Sequence, residues 1–410
     1  MSTTFLLPGA TVTEREHVVP LVHGEPQRGS LTVFTREVSA PDGGDRPWLV
    51  FLQGGPGFEA TRPSGPPSGW MARALADFRV LLLDQRGTGR STPVGPVIPG
   101  ATAADQAGYL THFRADSIVR DLECIRAELG VERWSLLGQS FGGFTALSYL
   151  SLAPEALREV LITGGLAPVT GRPVDEVYAA TWARTREANQ RYHARYPGDL
   201  DRLRRLLRRL DDEDIRLPDG SRLTARRFRQ TGLWLGDSTG FERLHQLLEL
   251  PVDSPAFLWD AQQASAWERN PIYATLHESC YADGGATRWA AHRLAPEDAV
   301  NGELLGGEHV FPWMWDDYPG LHAHREAAGR LADHAWPRLY DDDRLARNEV
   351  PVAATVYVDD MYVDRTLAEA TARHVRGLRA WITNEYAHNG LRADGERIVG
   401  RLLDMVRGRP

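Results

Sequence analysis

The sequence contains no lysine. All 47 of its basic residues are arginine, set against 55 acids, for a net charge of −8 over 410 residues. An acidic chain of this kind lacks the electrostatic footprint of a nucleic-acid binder. The exclusive use of arginine reads as coding bias rather than as function. Cysteine is scarce too. Cys124 and Cys280 are too few and too far apart for a disulfide framework or a metal site, and a reduced cytoplasm fits that usage. No apolar run approaches the length that spans a bilayer. The opening residues, MSTTFLLPGATVTERE, lack the basic start and the apolar run of a secretory leader. Neither a membrane nor a nucleic acid is therefore expected as a partner.

The rest of the sequence is patterned for α/β architecture. Residues 17–38 alternate around a Gly-rich break and predict an antiparallel pair of strands. PWLVFLQ (47–53) and FRVLLLDQ (78–85) predict buried strands. Residues 115–130 have helical periodicity, with Asp116 or Ser117 as the expected cap and Gly130 as the stop. WSLLGQ (134–139) leads into SFGGFTALSYL, a strand followed by a helix opening. REVLITGG (158–165) is a further buried strand. From 172 to 335 the texture turns helical, most clearly in RLRRLLRRLDDED (202–214). There the acids that follow at once mark a solvated amphipathic helix rather than a nucleic-acid patch. Strand patterns return at VAATVYVDD (352–360) and LRAWITNEY (378–386). The expected fold is α/β, with a mostly parallel sheet. Residues 1–167 and 336–410 form the core, and a helical cap at 168–335 interrupts it.

The strongest chemical motif is Gly138-Gln139-Ser140-Phe141-Gly142. A serine between a strand and a helix, flanked by glycines, predicts a nucleophile elbow on a sharp turn. A serine nucleophile needs a base, and the base needs an orienting acid. Past the helical block, Asp359 and Asp360 close the strand AATVYV, and His388 follows the next strand in NEYAHNG. Both positions are strand C-terminal ends, where open α/β sheets place their ligands. His388 is the expected base. Asp360 is the favoured acid, with Asp359 and Asp364 as alternatives. His309, His322 and His324 fall in the helical block and read as ordinary core or surface histidines. The run FLQGGPG (51–57) supplies bare backbone after a strand. Gly54 and Gly55, with the amide of Phe141, are the expected oxyanion donors.

These motifs, namely QGGPG, DQRGTGRST, GQSFGG, the late DD and the late His, resemble the proline iminopeptidase family of the α/β-hydrolase superfamily. Gln53 stands where that family usually has His. The resemblance implies a serine peptidase that removes N-terminal proline from peptides through an acyl-enzyme, without metal or cofactor. It implies Ser140 as nucleophile, His388 as base and Asp360 as its partner. It also implies acids on the cap that read the substrate's free amine. LHESCY maps one of these to Glu278, and GGEHVFPWMW maps another to Glu308. Phe311, Trp313 and Trp315 would wall a proline-sized pocket. Asp84 and Arg86 in DQRGTGRST are expected to pair and hold the loops near the site. The competing expectations are a related esterase or amidase that keeps the serine machinery, and a non-catalytic binding protein on the same fold.

Overall fold

The computed structural model describes residues 2–264 and 266–409. Nine strands form one sheet: β1 (Ser2–Leu7), β2 (Ala10–Pro20), β3 (Ser30–Ser39), β4 (Trp48–Leu52), β5 (Arg79–Asp84), β6 (Trp134–Gln139), β7 (Leu157–Thr163), β8 (Val352–Tyr357) and β9 (Leu378–Thr383). Their spatial order is β1-β2-β3-β5-β4-β6-β7-β8-β9. The first three strands are antiparallel. From β5 to β9 every pairing is parallel.

The parallel strands read as apolar runs because both faces are covered. Successive residues of β4 go to opposite cores: Val50 and Leu52 pack on one side, Leu49 and Phe51 on the other. The first side is closed by the helices Ala115–Glu128 and Phe141–Leu152, through residues such as Leu122 and Leu147. The second is closed by Gly69–Asp77 and Gly395–Val406, through Leu75 and Leu402.

Two expectations are corrected. The antiparallel region starts earlier than residue 17, with a β1–β2 hairpin that turns at Gly9 (φ 77°). β1 is an edge strand with few buried side chains, so the alternating burial that marks a strand in sequence is weak there. The helix at 115 is not capped by Asp116 or Ser117. Arg114 occupies the cap position with no side-chain bond, and Asp116 pairs instead with Arg120 one turn on, at 2.6 Å.

Between β7 and β8 the described elements are helical, led by Val174–Arg195 and Asp199–Asp212. This region has an aromatic core of its own, including Trp182, Trp267, Tyr273, Phe311 and Trp315.

Register sets up the site. Leu52 aligns with Gly138, Gln139 with Thr163, Thr163 with Thr355, and Tyr357 with Thr383. The loops that leave β4, β6, β7, β8 and β9 therefore emerge at one edge of the sheet.

Candidate active site

Ser140 sits between β6 and its helix at φ 54°, ψ −124°, a backbone region that non-glycine residues enter only under constraint. The constraint is close packing. A Cβ on Gly142 would overlap the Leu52 carbonyl, and one on Gly143 would overlap the Gly165 carbonyl. The turn is pinned further by Ser140 N–H donating to Thr163 O at 3.0 Å. The Ser140 hydroxyl does not cap its own helix. The amide of Phe141 is the first in that helix, so it has no intrahelical acceptor.

His388 and Asp360 meet at 2.7 Å, Nδ1 to Oδ2. Asp360 is 1% exposed. Its other oxygen accepts the amides of Tyr362 and Val363 at 2.9 and 3.0 Å, which aims the carboxylate at the imidazole. Burial alone would lower the His388 pKa. The adjacent Asp360 charge and hydrogen bond outweigh it, Glu308 adds to them, and the net direction is upward. The ring of Tyr362 stands edge-on to His388 at 4.9 Å, and the His388 amide donates to Gly236 O at 3.1 Å. The alternative acids are engaged elsewhere. Asp359 is exposed and pairs with Arg191 at 3.0 Å. Asp364 caps the helix Arg365–His374 and pairs with Arg184 at 2.8 Å.

Gly164 and Gly165, past β7, join the two halves. A Cβ on Gly164 would lie 3.3 Å from His388 Nδ1. One on Gly165 would run into the Ser140 carbonyl. The loop after β4 closes in from the other side: a Cβ on Gly54 would lie 3.0 Å from Ser140 Cβ and 3.6 Å from its Oγ. Gly55 has φ 128°, and the loop is tied down by Gln85 Nε2 donating to Gln53 O at 2.9 Å.

The two glutamates of the helical segment differ. Glu308 is half-buried and accepts the Tyr273 hydroxyl at 2.5 Å. Burial drives its pKa up to about 7; the nearby His388 and the Tyr273 bond pull down, and Asp360 pushes up. Glu308 is thus in electrostatic contact with the His–Asp pair. Glu278 is buried, and its two oxygens accept the amides of Ala291 and Ala290 at 2.9 and 3.2 Å. Burial raises its pKa, against those same amide bonds. Trp315 lies in the aromatic core with Trp289 edge-on at 5.2 Å. Phe311 and Trp313 stack at 5.5 Å and line a cavity inside the helical region.

Asp84 and Arg86 do not pair with each other. Arg86 makes a fork to Asp121 at 2.7 and 2.5 Å and donates to the carbonyls of Pro20, Leu21 and His112. Asp84 faces Arg36 at 3.5 Å and accepts the Arg90 amide at 3.0 Å. β5 ends at Asp84, so Arg86 lies in the loop beyond it and turns to Asp121 instead.

Tyr273 was not legible in the sequence as a site residue. Its ring stacks on Trp267 at 4.5 Å and meets Phe58 of the QGGPG loop edge-on at 5.0 Å. No motif marks it; only the fold brings residues 58, 273 and 308 together.

A serine on a strained elbow, a His–Asp pair and a glycine loop on one sheet edge define the α/β-hydrolase class, and the profile of that fold matches residues 47–275. Two relatives match over nearly the whole chain. A proline iminopeptidase of Aeromonas sobria is 47% identical, covering 98% of this chain and 98% of its own. Proline iminopeptidase aneH of Aspergillus aculeatus is 34% identical, covering 95% and 92%. A probable proline iminopeptidase of Streptomyces coelicolor is 36% identical, but over 28% of this chain and 32% of its own. The chain belongs to the proline iminopeptidase family of α/β-hydrolase-fold enzymes.

Proposed function

We propose that this enzyme releases N-terminal proline from peptides by acyl transfer, with the helical segment 168–335 acting as a cap over the core formed by 1–167 and 336–410. Ser140 Oγ attacks the prolyl carbonyl while His388 Nε2 takes its proton. Asp360 accepts the Nδ1 proton's hydrogen bond, which fixes the tautomer and steadies the imidazolium. The amide of Phe141 and the backbone of Gly54 and Gly55 stabilise the oxyanion. His388 then gives its proton to the departing peptide amine, leaving prolyl-Ser140. Water, deprotonated by the same imidazole, attacks the ester and frees proline.

Glu308 reads the substrate's amine. A prolyl N-terminus is a secondary ammonium, and a carboxylate in a partly desolvated site attracts it much more strongly than water would allow. The observation that carries this reading is Glu308 itself, a half-buried acid coupled to His388 and Asp360 and held by Tyr273. Glu278 supports the cap instead, since its oxygens already serve backbone amides.

The test offers prolyl, alanyl and leucyl chromogenic amides beside simple esters, with Ser140→Ala as control. Prolyl amides should turn over fastest, and Ser140→Ala should abolish turnover. Ester hydrolysis without prolyl-amide hydrolysis would turn the assignment to a related esterase.

A further inference from the structure

The helical region forms a partly open cavity of about 480 Å³, within the range that holds small organic ligands. None of Ser140, His388, Asp360 and Glu308 lines it. Its walls include Trp182, Phe311 and Trp313, with His292 beside Phe311 at 5.9 Å. The wall thus sets flat aromatic rings beside a comparable share of polar groups.

Two polar side chains in this wall are buried and short of partners. Arg229 is 7% exposed, and its Nε donates to Gly302 O at 2.8 Å. Its two terminal nitrogens have no acceptor among the described residues, and no carboxylate forms an ion pair with it. Burial lowers its pKa; Asp211 and Glu303 oppose this only from longer range. Gln230, the next residue, is 2% exposed, and its Oε1 has no hydrogen-bond partner. A buried guanidinium without an anion is costly to maintain.

The other charges on the lining do not satisfy Arg229. Arg226 is taken by Asp317 at 2.6 Å, and Arg222 sits 3.8 Å from Asp214. Asp211, the one acid on the lining, is exposed at the rim.

We infer that this cavity is a second binding site, for a free carboxylate carried on a flat apolar group. The two terminal nitrogens of Arg229 would grip the carboxylate in the paired geometry that guanidinium favours. Trp182, Phe311 and Trp313 would cover the apolar part of the same ligand. A free amino acid and the C-terminus of a peptide both present this chemistry.

Calorimetric titration of the full chain tests it. N-acetyl-L-phenylalanine is the first probe, because its blocked amine offers Glu308 no cation. Its carboxamide removes the charge, and N-acetyl-alanyl-phenylalanine extends the probe by one residue. The acid should bind saturably, with the amide weaker by about tenfold or more. Arg229→Met should weaken the acid by a similar factor, and Arg229→Lys should restore part of the loss. If Arg229→Met fails to fold, Gln230→Glu places a negative charge in the cavity and should also weaken the acid by about tenfold. A preference for the longer acid assigns a peptide C-terminus; a preference for the shorter assigns a free amino acid. Equal affinity for acid and amide, no saturable heat from any probe, or affinity unchanged in both Arg229→Met and Gln230→Glu would overturn the proposal. Heat, not turnover, is read, so the outcome is independent of whether the enzyme releases proline.

Discussion

The sheet edge and the cap hold their functional groups by different means. At the sheet edge the backbone does the work. Ser140 is fixed by glycines whose missing side chains let strands and helix touch, and Asp360 is fixed by two amides of its own loop. In the cap, side chains hold side chains. Glu308 depends on Tyr273, which in turn leans on Trp267 and Phe58. Backbone constraints act through short, local sequence, whereas side-chain constraints join residues scattered along the chain. The two regions should therefore respond differently to mutation, the first losing fold or chemistry, the second losing affinity and pH control.

The largest expected effect tests the first half of that contrast. Ser140→Ala should lower kcat on a prolyl amide by about 10⁴-fold or more, with the melting temperature little changed. At the same edge, Gly142→Ala should damage the fold itself, because its Cβ would overlap the Leu52 carbonyl; low soluble yield or a broad thermal transition would show it. Asp360→Asn should cost a few orders of magnitude in kcat through the wrong imidazole tautomer. Asp359→Asn, which loses only an exposed pair with Arg191, should cost less than about threefold.

The second half is tested by smaller effects. Tyr273→Phe leaves Glu308 without its donor and should raise KM several-fold, a loss of about 1 kcal/mol, while kcat on bound substrate stays near wild type. Glu278→Gln turns an amide donor toward the Ala290 and Ala291 amides. It should lower stability by about 1–3 kcal/mol with little change in KM.

The pH profile follows from the same groups. Burial pushes Glu308 up to about 7, and on the proposed reading it binds the amine only when ionised; His388, raised above its ordinary value, must be neutral to serve as the proposed base. The rate constant kcat/KM should rise through about pH 7 and fall where the substrate amine loses its proton, near about 8. Glu308→Gln removes one ionisation and one charge that raises His388, so its acid limb should move to lower pH. Stability gives the smallest signal. A carboxyl with a raised folded-state pKa binds a proton that the unfolded chain has released, so between the unfolded value of 4.5 and about 7 stability falls as pH rises. Wild type should lose melting temperature relative to Glu308→Gln across that interval.

The same contrast explains what was legible in the sequence. The strands of the parallel sheet, the elbow at Ser140 and the glycine loop could be read because each is a local pattern with a local physical cause. Chain order and strand ends point to His388 and Asp360 but give no register; the β8–β9 pairing and the 2.7 Å contact between the two side chains are visible only in the fold. The N-terminal hairpin escaped because an exposed edge strand shows little alternation. Proximity in sequence suggests Asp84 as the partner of Arg86, yet Arg86 reaches Asp121, 35 positions away. In the cap, Glu278 and Glu308 looked equivalent as residues. Only burial and partners separate them, and neither Tyr273 nor the Arg229 cavity has a motif.

One measurement addresses the division of labour most directly. It compares kcat/KM for a prolyl amide and its N-acetylated form, in wild type and in Glu308→Gln. Acetylation removes the cation that Glu308 is proposed to read. It should cost wild type about 10²-fold, in line with a charge-assisted contact of about 3 kcal/mol, and cost Glu308→Gln little. An equal penalty in both proteins would contradict the assignment of amine reading to Glu308.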